Sequence, residues 1–537
     1  MKRLFALTLC AMSCATIAVG CGDRPDVWDE APSASKTKVV GLAGAVALVD
    51  DVTHRAVMLL PREDQQLDRA SFPVGKGVLR VEASPDRKRL LVLSSGDVPR
   101  RTSKDERPSL TVIDASDASR LKSRRFELAA PRSGLSVDPR GRWVAVFAAG
   151  DVATTFVENP NEIVLVDLEA PAGASPTITA TLRSFGGRPE RVTFAPTLTL
   201  PEGPRRLLVV ETDQDVSLLD LDHQHDAVPR PEITVRLSPG GSTKPMRPAG
   251  VTFHDGSPSR NDDARIGVRI SGDSNVVTLE LAAATPGGPH DFSPKINLTD
   301  VGGVPSDLAF VQTDGGLRLA ALVPSLSSAV LVETETSITT VVKLPAPYQR
   351  LSLITDVVER TALTDVALLW NATTSSSGVA FWALGKTAGQ PYRSVEVLNL
   401  GGSVVGVRDV PAPRAELKVL ESGGRGLFVL DLASRTAAPL TTLGKATVTI
   451  SPDAERMWAF QVGESRLSSI DLDKLHPTPV VIDRAIQSVH DVARGDGGRS
   501  LIAIHARGAF GATVFDARAA DTAYSRLYSG LLLEGLQ

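Results

Sequence analysis

The chain has 537 residues and a formal net charge of −4, with 42% hydrophobic and 22% charged residues. This length exceeds what one ordinary core requires, and the composition excludes an intrinsically disordered protein. A mildly acidic chain also lacks the basic surface that nucleic-acid binding requires, so we expect no nucleic-acid partner.

The N-terminus has the pattern of a signal peptide. Lys2 and Arg3 precede an uncharged apolar run from Leu4 to Gly20, which is short for a membrane-spanning helix. We therefore assign residues 1–20 to a signal peptide rather than to an uncleaved anchor. The segment Ala18-Val19-Gly20 would also suit an ordinary secretory cleavage site.

The chain has three cysteines, Cys10, Cys14 and Cys21, so the remaining 516 residues cannot form a disulfide. The stretch 17–21, Ile-Ala-Val-Gly-Cys, resembles the lipobox of bacterial lipoproteins, although Ala18 stands where that family usually has Leu. The resemblance implies cleavage before Cys21 and acyl chains such as palmitate on this cysteine. Two or three chains on one residue anchor a protein stably to a membrane.

Residues 21–37 are rich in Pro, Asp, Ser and Ala and show no periodicity, which predicts a flexible tether. Beyond it, residues 38–537 contain no apolar run long enough to cross a membrane. We expect this part to form one repeat domain in the bacterial cell envelope. The outer membrane or the cell surface is the favoured location.

A repeat unit recurs along this domain. Short aliphatic runs alternate with turns, and the tripeptide Ser84-Pro85-Asp86 returns as Ser451-Pro452-Asp453. Pro fixes φ for a turn and Asp can accept a hydrogen bond from the chain, so this tripeptide suits a tight strand connection. The runs are too short for long helices and predict an all-β fold.

An acidic residue ends one aliphatic strand of each unit and marks the period. The spacings are 40 to 64 residues apart from one of 98, where a divergent copy lies around Phe381-Trp382. The acids are Asp50, Asp114, Asp167, Asp220, Glu280, Glu333, Asp431, Asp471 and Asp516. Such periods, with four strands each, are typical of β-propeller blades.

Residues 40–530 resemble the YVTN-type and WD40-like propeller repeats of bacterial envelope proteins. The resemblance implies a β-propeller of four-stranded blades, roughly eight to ten units in one large ring, with two smaller propellers or a solenoid as alternatives. We count nine complete units and an N-terminal half unit, Val39–Pro61. We expect this half unit to close the ring by completing a sheet with C-terminal strands.

Two groups of polar residues are candidate sites. His223 and His225 stand at alternate positions of a loop, with Asp222 directly before His223. These three residues could ligate a metal, although a plain polar loop is the favoured interpretation. His490 and Asp491 are expected on an innermost strand and His505 on the next, where they could form a ligand site at a channel mouth. A structural role for these histidines is favoured here too.

The acidic loop Asp255–Asp263 lacks the spacing of an EF-hand, and Gly385-Lys386-Thr387 lacks the first glycine of a P-loop. We find no catalytic motif and predict no enzyme, no cofactor and no resident metal. The first functional hypothesis is an envelope lipoprotein whose propeller binds a protein or polymer partner. The alternatives are a lactonase-like or quinoprotein-like propeller enzyme and a structural surface-layer component.

Overall fold

The computed structural model describes residues 36–150, 159–182, 187–238, 245–256, 263–285, 287–354, 364–371, 378–387, 390–391, 394–423, 426–441, 446–505, 510–518 and 525–533. Within these ranges the chain forms ten four-stranded antiparallel sheets, which are the blades of one ring. The all-β propeller is thereby confirmed. Cys21 and nearly all of the predicted tether lie outside the described residues.

Each blade is built from consecutive strands, ordered in the sheet from the first strand outward, and the blades are numbered in chain order. Blade 1 has β1 (Thr37–Gly41), β2 (Val46–Asp50), β3 (Arg55–Pro61) and β4 (Leu67–Pro73). Blade 2 has β5 (Val78–Ala83), β6 (Arg89–Ser94), β7 (Ser109–Asp114) and β8 (Lys122–Glu127). Blade 3 has β9 (Gly134–Val137), β10 (Trp143–Phe147), β11 (Glu162–Asp167) and β12 (Thr177–Thr181).

Blades 4 and 7 each carry a two-stranded hairpin besides the four-stranded sheet. Blade 4 has β13 (Pro189–Phe194), β16 (Leu207–Thr212), β17 (Asp215–Asp220) and β18 (Ile233–Arg236), with the hairpin β14 (Leu198–Leu200) and β15 (Gly203–Arg205). Blade 5 has β19 (Pro248–His254), β20 (Arg265–Ile270), β21 (Asn275–Ala283) and β22 (Phe292–Asp300). Blade 6 has β23 (Asp307–Thr313), β24 (Gly316–Val323), β25 (Ser328–Glu333) and β26 (Thr339–Lys343). Blade 7 has β27 (Arg350–Leu353), β28 (Val366–Trp370), β29 (Gly378–Ala383) and β32 (Ser394–Asn399), with the hairpin β30 (Lys386–Thr387) and β31 (Gln390–Pro391).

The last three blades complete the ring. Blade 8 has β33 (Val404–Asp409), β34 (Leu417–Ser422), β35 (Gly426–Asp431) and β36 (Thr436–Thr441). Blade 9 has β37 (Thr447–Ile450), β38 (Arg456–Phe460), β39 (Arg466–Asp471) and β40 (His476–Val481). Blade 10 has β41 (Ser488–Ala493), β42 (Arg499–His505), β43 (Gly511–Asp516) and β44 (Arg526–Ser529). Among the described residues, single 3₁₀ turns lie at Glu63–Gln65, Leu221–His223 and Pro324–Leu326. In the part of the chain that the structure describes, no helix is long and apolar enough to cross a bilayer.

The core consists of apolar layers between neighbouring blades. In β6, Leu90 and Val92 pack toward blade 1, whereas Leu91 and Leu93 pack toward blade 3. Both faces of the middle strands are therefore buried, which explains why they read as continuous aliphatic runs rather than alternating patterns. One such layer joins each pair of neighbouring blades, including blades 10 and 1. The ring is therefore single and closed, and the alternative of two propellers is wrong.

The expected closure by a shared sheet is also wrong. The segment Val39–Pro61 is not a half unit, because Leu67–Pro73 supplies the fourth strand of blade 1 and every blade is formed by consecutive strands. This outer strand exposes one face and carries Asp68 and Arg69, so it lacks an aliphatic signal. Asp50 accordingly ends the second strand of its blade, whereas Asp114 and most of its counterparts end the third.

The antiparallel order gives the ring two distinct faces. Turns between the second and third strands, together with the connections between blades, form what we call the top face. Turns between the first and second strands and between the third and fourth form the bottom face. The first strand of each blade therefore runs from top to bottom.

Candidate functional site

The first strands of the blades line a central channel. Their side chains are largely half-buried or exposed, as in β5 and β33, whereas the neighbouring second strands β6 and β34 are almost wholly buried. First strands of adjacent blades also contact each other at several junctions, such as those between blades 5 and 6, 6 and 7, and 10 and 1. All ten blades thus contribute to the channel wall, and the charges on this wall decide what it can bind.

On the bottom face, six of the described arginines pair with the acids that mark the repeat. Arg142 bonds Asp167 with Nη2–Oδ2 of 2.8 Å, and Arg318 approaches Glu333 at 2.8 Å. The other pairs of this kind are Arg89–Asp114, Arg205–Asp220, Arg265–Glu280 and Arg494–Asp516. These acids also accept backbone N–H groups of the following turn, as Asp431 does from Ala433. The repeated acid is therefore a structural feature of the blade.

The top end of the channel carries cations bound to backbone carbonyls instead. In each case the side chain reaches from one blade to the first strand of the next blade or to the residue just before it. The bonds are Lys38 Nζ to Leu79 O (3.0 Å), Arg80 Nε to Ser133 O (3.1 Å) and Arg191 Nη1 to Ala249 O (3.0 Å). A carbonyl satisfies the N–H donors of these cations but brings no counter-charge. Of the three cations, Arg191 also lies 3.5 Å from the carboxylate oxygen of Glu211. These carbonyl contacts therefore fix the positions of cations in the channel wall.

β-Bulges position these groups. The ladder between the first and second strands shifts register at Val78/Arg80, at Pro189/Arg191 and at Pro248/Gly250. A bulge leaves one residue unpaired and re-aims its neighbours. Leu79 and Ala249, whose carbonyls accept the cations, are the residues skipped in blades 2 and 5.

Arg191, Arg269 and Arg350 form the densest group of cations, which we call the arginine cluster. Arg191 and Arg269 both donate to the carbonyl oxygen of Ala249, at 3.0 and 2.5 Å. A Cβ placed on Gly250 would lie 3.6 Å from a guanidinium nitrogen of each, so the two groups share one site. Burial lowers the pKa of Arg269, and the charges of Arg191 and Arg350 lower it further. The carboxyl groups of Asp307 and Glu211 act in the opposite direction and raise this pKa. Like charges are therefore held close together.

Two carboxyl groups beside the cluster compensate it poorly. Glu211 is 2% exposed, and burial raises its pKa against the opposing effect of Arg191 and Arg269. Its Oε2 lies 3.5 Å from Arg191, while Oε1 has no hydrogen-bond partner among the described residues. Burial likewise raises the pKa of Asp307, which accepts the N–H of Leu351. Both carboxyls thus favour the protonated form more than an exposed carboxyl does.

The predicted channel-mouth residues lie where the sequence placed them but do not converge. His490 is on the innermost strand of blade 10 and bonds Ser488 Oγ through Nε2 at 2.9 Å. Burial lowers its pKa to about 4, with a contribution from the nearby Arg87. Asp491 is buried and bonds Arg499 Nε at 2.6 Å.

His505 is buried at the top end of β42. Its Nε2 lies 2.8 Å from Thr513 Oγ1 and its Nδ1 3.0 Å from Ala485 O, so both ring nitrogens are engaged. Burial lowers its pKa. His505 therefore has the contacts of a structural histidine, apart from His490 on the channel wall.

The candidate metal ligands point to separate partners. His225 Nε2 lies 2.9 Å from Asp167 and its ring stacks on Trp143 in blade 3. His223 contacts Asp226 at 2.7 Å, and Asp222 accepts from Arg206 at 3.0 Å. Among the described residues, no group of three or more His, Cys, Asp or Glu side chains could hold a metal ion. Residues 257–262 of the acidic loop lie outside the described ranges.

Two open grooves flank the channel. One of about 480 Å³ on the bottom face is lined by Arg142, Arg206 and Asp222, whose charges are paired. Another of about 630 Å³ lies on the top face, between the loop of residues 97–103 and Ala129–Pro131.

Sequence reasoning missed this cationic end because its members stand alone on different blades, tens of residues apart. The residues that flank each arginine in the sequence share no pattern, and the chain as a whole is acidic. A usable signal exists in retrospect. Lys38, Arg80, Arg191 and Arg350 all fall within the first three residues of a blade's first strand.

No family model matches the chain, and no curated protein matches it. Among solved structures, it is similar to dihydro-heme d1 dehydrogenase NirN in complex with DHE, at 13% identity and a TM-score of 0.39 over 84% of this chain and 74% of that one. Apo AztD from Citrobacter koseri has 10% identity and a TM-score of 0.35 over 84% and 96%. Virginiamycin B lyase from Staphylococcus aureus has 11% and 0.32 over 64% and 92%. Similarity at this level says nothing about function.

Proposed function

We propose that this chain is an exported lipoprotein, anchored by acyl chains on Cys21, whose propeller binds a protein or polymer partner across the top end of its channel. The proposal is supported by the cations that line the top end of the channel, Lys38, Arg80, Arg191, Arg269 and Arg350. Arg191 and Arg269 are fixed on one carbonyl oxygen, and the carboxyl beside them, Glu211, lies no closer than 3.5 Å to Arg191, so this opening keeps cationic groups close together. Such an opening attracts and orients an oppositely charged partner.

The proposed anchor would orient this opening. Thr37 begins β1 at the top end of the channel, so the tether joins the disc on the cationic side. Fifteen residues separate Cys21 from Thr37, and a flexible segment of this length spans about 20 Å on average. An acylated Cys21 would thus keep the top face near the membrane, where a membrane-proximal partner is accessible.

The enzymatic alternative has less support. Two histidines lie on described first strands, His490 and His254. His490 has no described carboxylate partner, since Asp491 is bound to Arg499. His254 lies 4.0 Å from a carboxylate oxygen of Asp255, beyond hydrogen-bond distance. The surface-layer alternative draws on no particular feature of the described blades. Binding at the top end therefore remains the preferred function.

The first test is cross-linked co-purification from intact envelopes through a C-terminal tag. We expect one stoichiometric partner with the parent chain and a clear loss of it with Arg191→Gln/Arg269→Gln. Arg526→Gln, which removes an exposed arginine from the outer strand β44, is the matched control and should retain the partner. Recovery of the tagged chain alone would contradict the proposal.

Anchoring is tested separately by Cys21→Ser. Without the acylated cysteine, we expect the protein to move from the membrane fraction to the soluble envelope fraction. Fractionation followed by immunodetection measures this. A variant that stays as membrane-bound as the parent would show that Cys21 is not the anchor.

A further inference from the structure

The arginine cluster has the features of a built oxyanion site. Arg191 and Arg269 come from neighbouring blades and share the carbonyl of Ala249, which holds both guanidinium groups in place before any ligand arrives. Arg350 begins the first strand of blade 7, within electrostatic range of Arg269. Guanidinium groups suit oxyanions because they present paired N–H donors in a planar fork.

Glu211 supplies a second, independent observation. Its side chain is 98% buried beside Arg191, yet Oε1 has no hydrogen-bond partner among the described residues. An unsatisfied buried oxygen is costly unless something completes its bonding. The unpaired Oε1 of Glu211 is therefore a buried polar atom beside Arg191 whose bonding a ligand could complete.

We propose that the arginine cluster binds a phosphate group, held by Arg191, Arg269 and Arg350. The sign of the charge matches, since a phosphate group is negative near neutral pH, close to doubly as a monoester and singly as a diester. A bound phosphate would be shared by the guanidinium groups of the cluster and would offset the repulsion between their like charges. The inference rests on the proposed function and names the chemistry of what the top end recognises.

Two sources could present this group: a soluble phosphate or a phospholipid headgroup near the anchored top face. Calorimetry of the purified mature chain with inorganic pyrophosphate tests the first. Sedimentation with phosphatidylcholine vesicles, with and without phosphatidylglycerol, tests the second, using chain that lacks acylation. Binding to either probe that depends on the cluster supports the proposal and identifies the source.

The variants decide whether binding depends on the cluster. Arg350→Gln removes an exposed charge and should leave the fold intact, while weakening binding about tenfold to a hundredfold. Arg269→Gln should weaken it by a similar factor, Arg269→Lys by less, and Arg526→Gln not at all. Thermal unfolding checks that each variant is folded.

Failure takes a defined form. If neither probe binds, or if Arg350→Gln and Arg269→Gln bind as the parent does, the phosphate site is refuted. If the phosphate site is refuted but a partner still co-purifies, the proposed function stands and the partner is recognised through a different chemical group. Loss of both would refute the two together.

Discussion

The seam between blades 10 and 1 gives a sharp prediction, because the chain itself does not connect these two blades. It is closed by an apolar layer that includes Phe510, Leu531 and Leu532. A few hydrogen bonds supplement this layer, such as Ala493 N to Ala43 O at 2.8 Å. At every other junction the chain itself joins the two blades. We therefore expect the ring to open first at this seam.

Leu532→Ala tests this expectation. Leu532 is 1% exposed, and the substitution removes roughly three methylene-sized groups, worth about 2.4 kcal/mol of transfer free energy. The remaining cavity raises the total to about 3–5 kcal/mol. If this cost falls on seam opening, the population of the open ring rises by at least about a hundredfold.

Hydrogen exchange followed by mass spectrometry measures the effect blade by blade. We expect faster exchange in blades 1 and 10 of Leu532→Ala. Leu369→Ala is the matched control, because Leu369 is fully buried in the layer between blades 6 and 7. It should speed exchange near blades 6 and 7 and leave the seam protected. Unchanged protection of blades 1 and 10 in Leu532→Ala would refute closure by packing alone.

Two further predictions concern pH. Because the pKa of His490 is lowered to about 4, the folded protein binds a proton there less readily than the unfolded chain, so stability falls as pH drops from about 6.5 toward 4. In His490→Gln, the drop in the free energy of unfolding over this pH range should shrink by at most about 3 kcal/mol. Denaturant titrations at several pH values measure this drop, and the same drop in parent and variant would contradict the prediction. Arg499→Met should cost about 3–5 kcal/mol at pH 7, because it leaves buried Asp491 unpaired. Burial raises the pKa of Asp491, and loss of the Arg499 guanidinium raises it further, so the destabilisation by Arg499→Met should be smaller at pH 5. The same destabilisation at both pH values, or no rescue by Asp491→Asn, would count against the reasoning.

The fold could be predicted because its determinants are local and repeated. The turn at Ser84-Pro85-Asp86 shows why: Arg89 N donates to Ser84 Oγ at 2.9 Å and Ser84 Oγ donates to Asp86, so three adjacent residues specify the connection. The same bonding recurs at Ser451, whose Oγ accepts from Arg456 N at 3.0 Å. The strand-end acids, which return every 40 to 64 residues apart from one spacing of 98, add a second repeated signal that can be read without knowing the packing.

What could not be predicted depends on contacts between blades. The outer strand Leu67–Pro73 buries only one face, so its sequence does not resemble the aliphatic strands and the first blade was miscounted. The arginine cluster depends on the ring bringing residues 191, 269 and 350 together, which no spacing in the chain encodes. His505 shows the reverse limit, since its position was predicted but its two hydrogen-bond partners were not.

The central claim, that a partner occupies the top end of the channel, is tested most directly by site-specific photo-crosslinking in intact envelopes. One probe replaces Ser352, a half-buried residue two positions after Arg350 on the first strand of blade 7. The other replaces Val481, 59% exposed on the outer strand of blade 9. We predict that the partner is cross-linked at position 352 and not at position 481. Cross-linking at position 481 alone would show that the partner binds the outside of the ring, and would contradict the account.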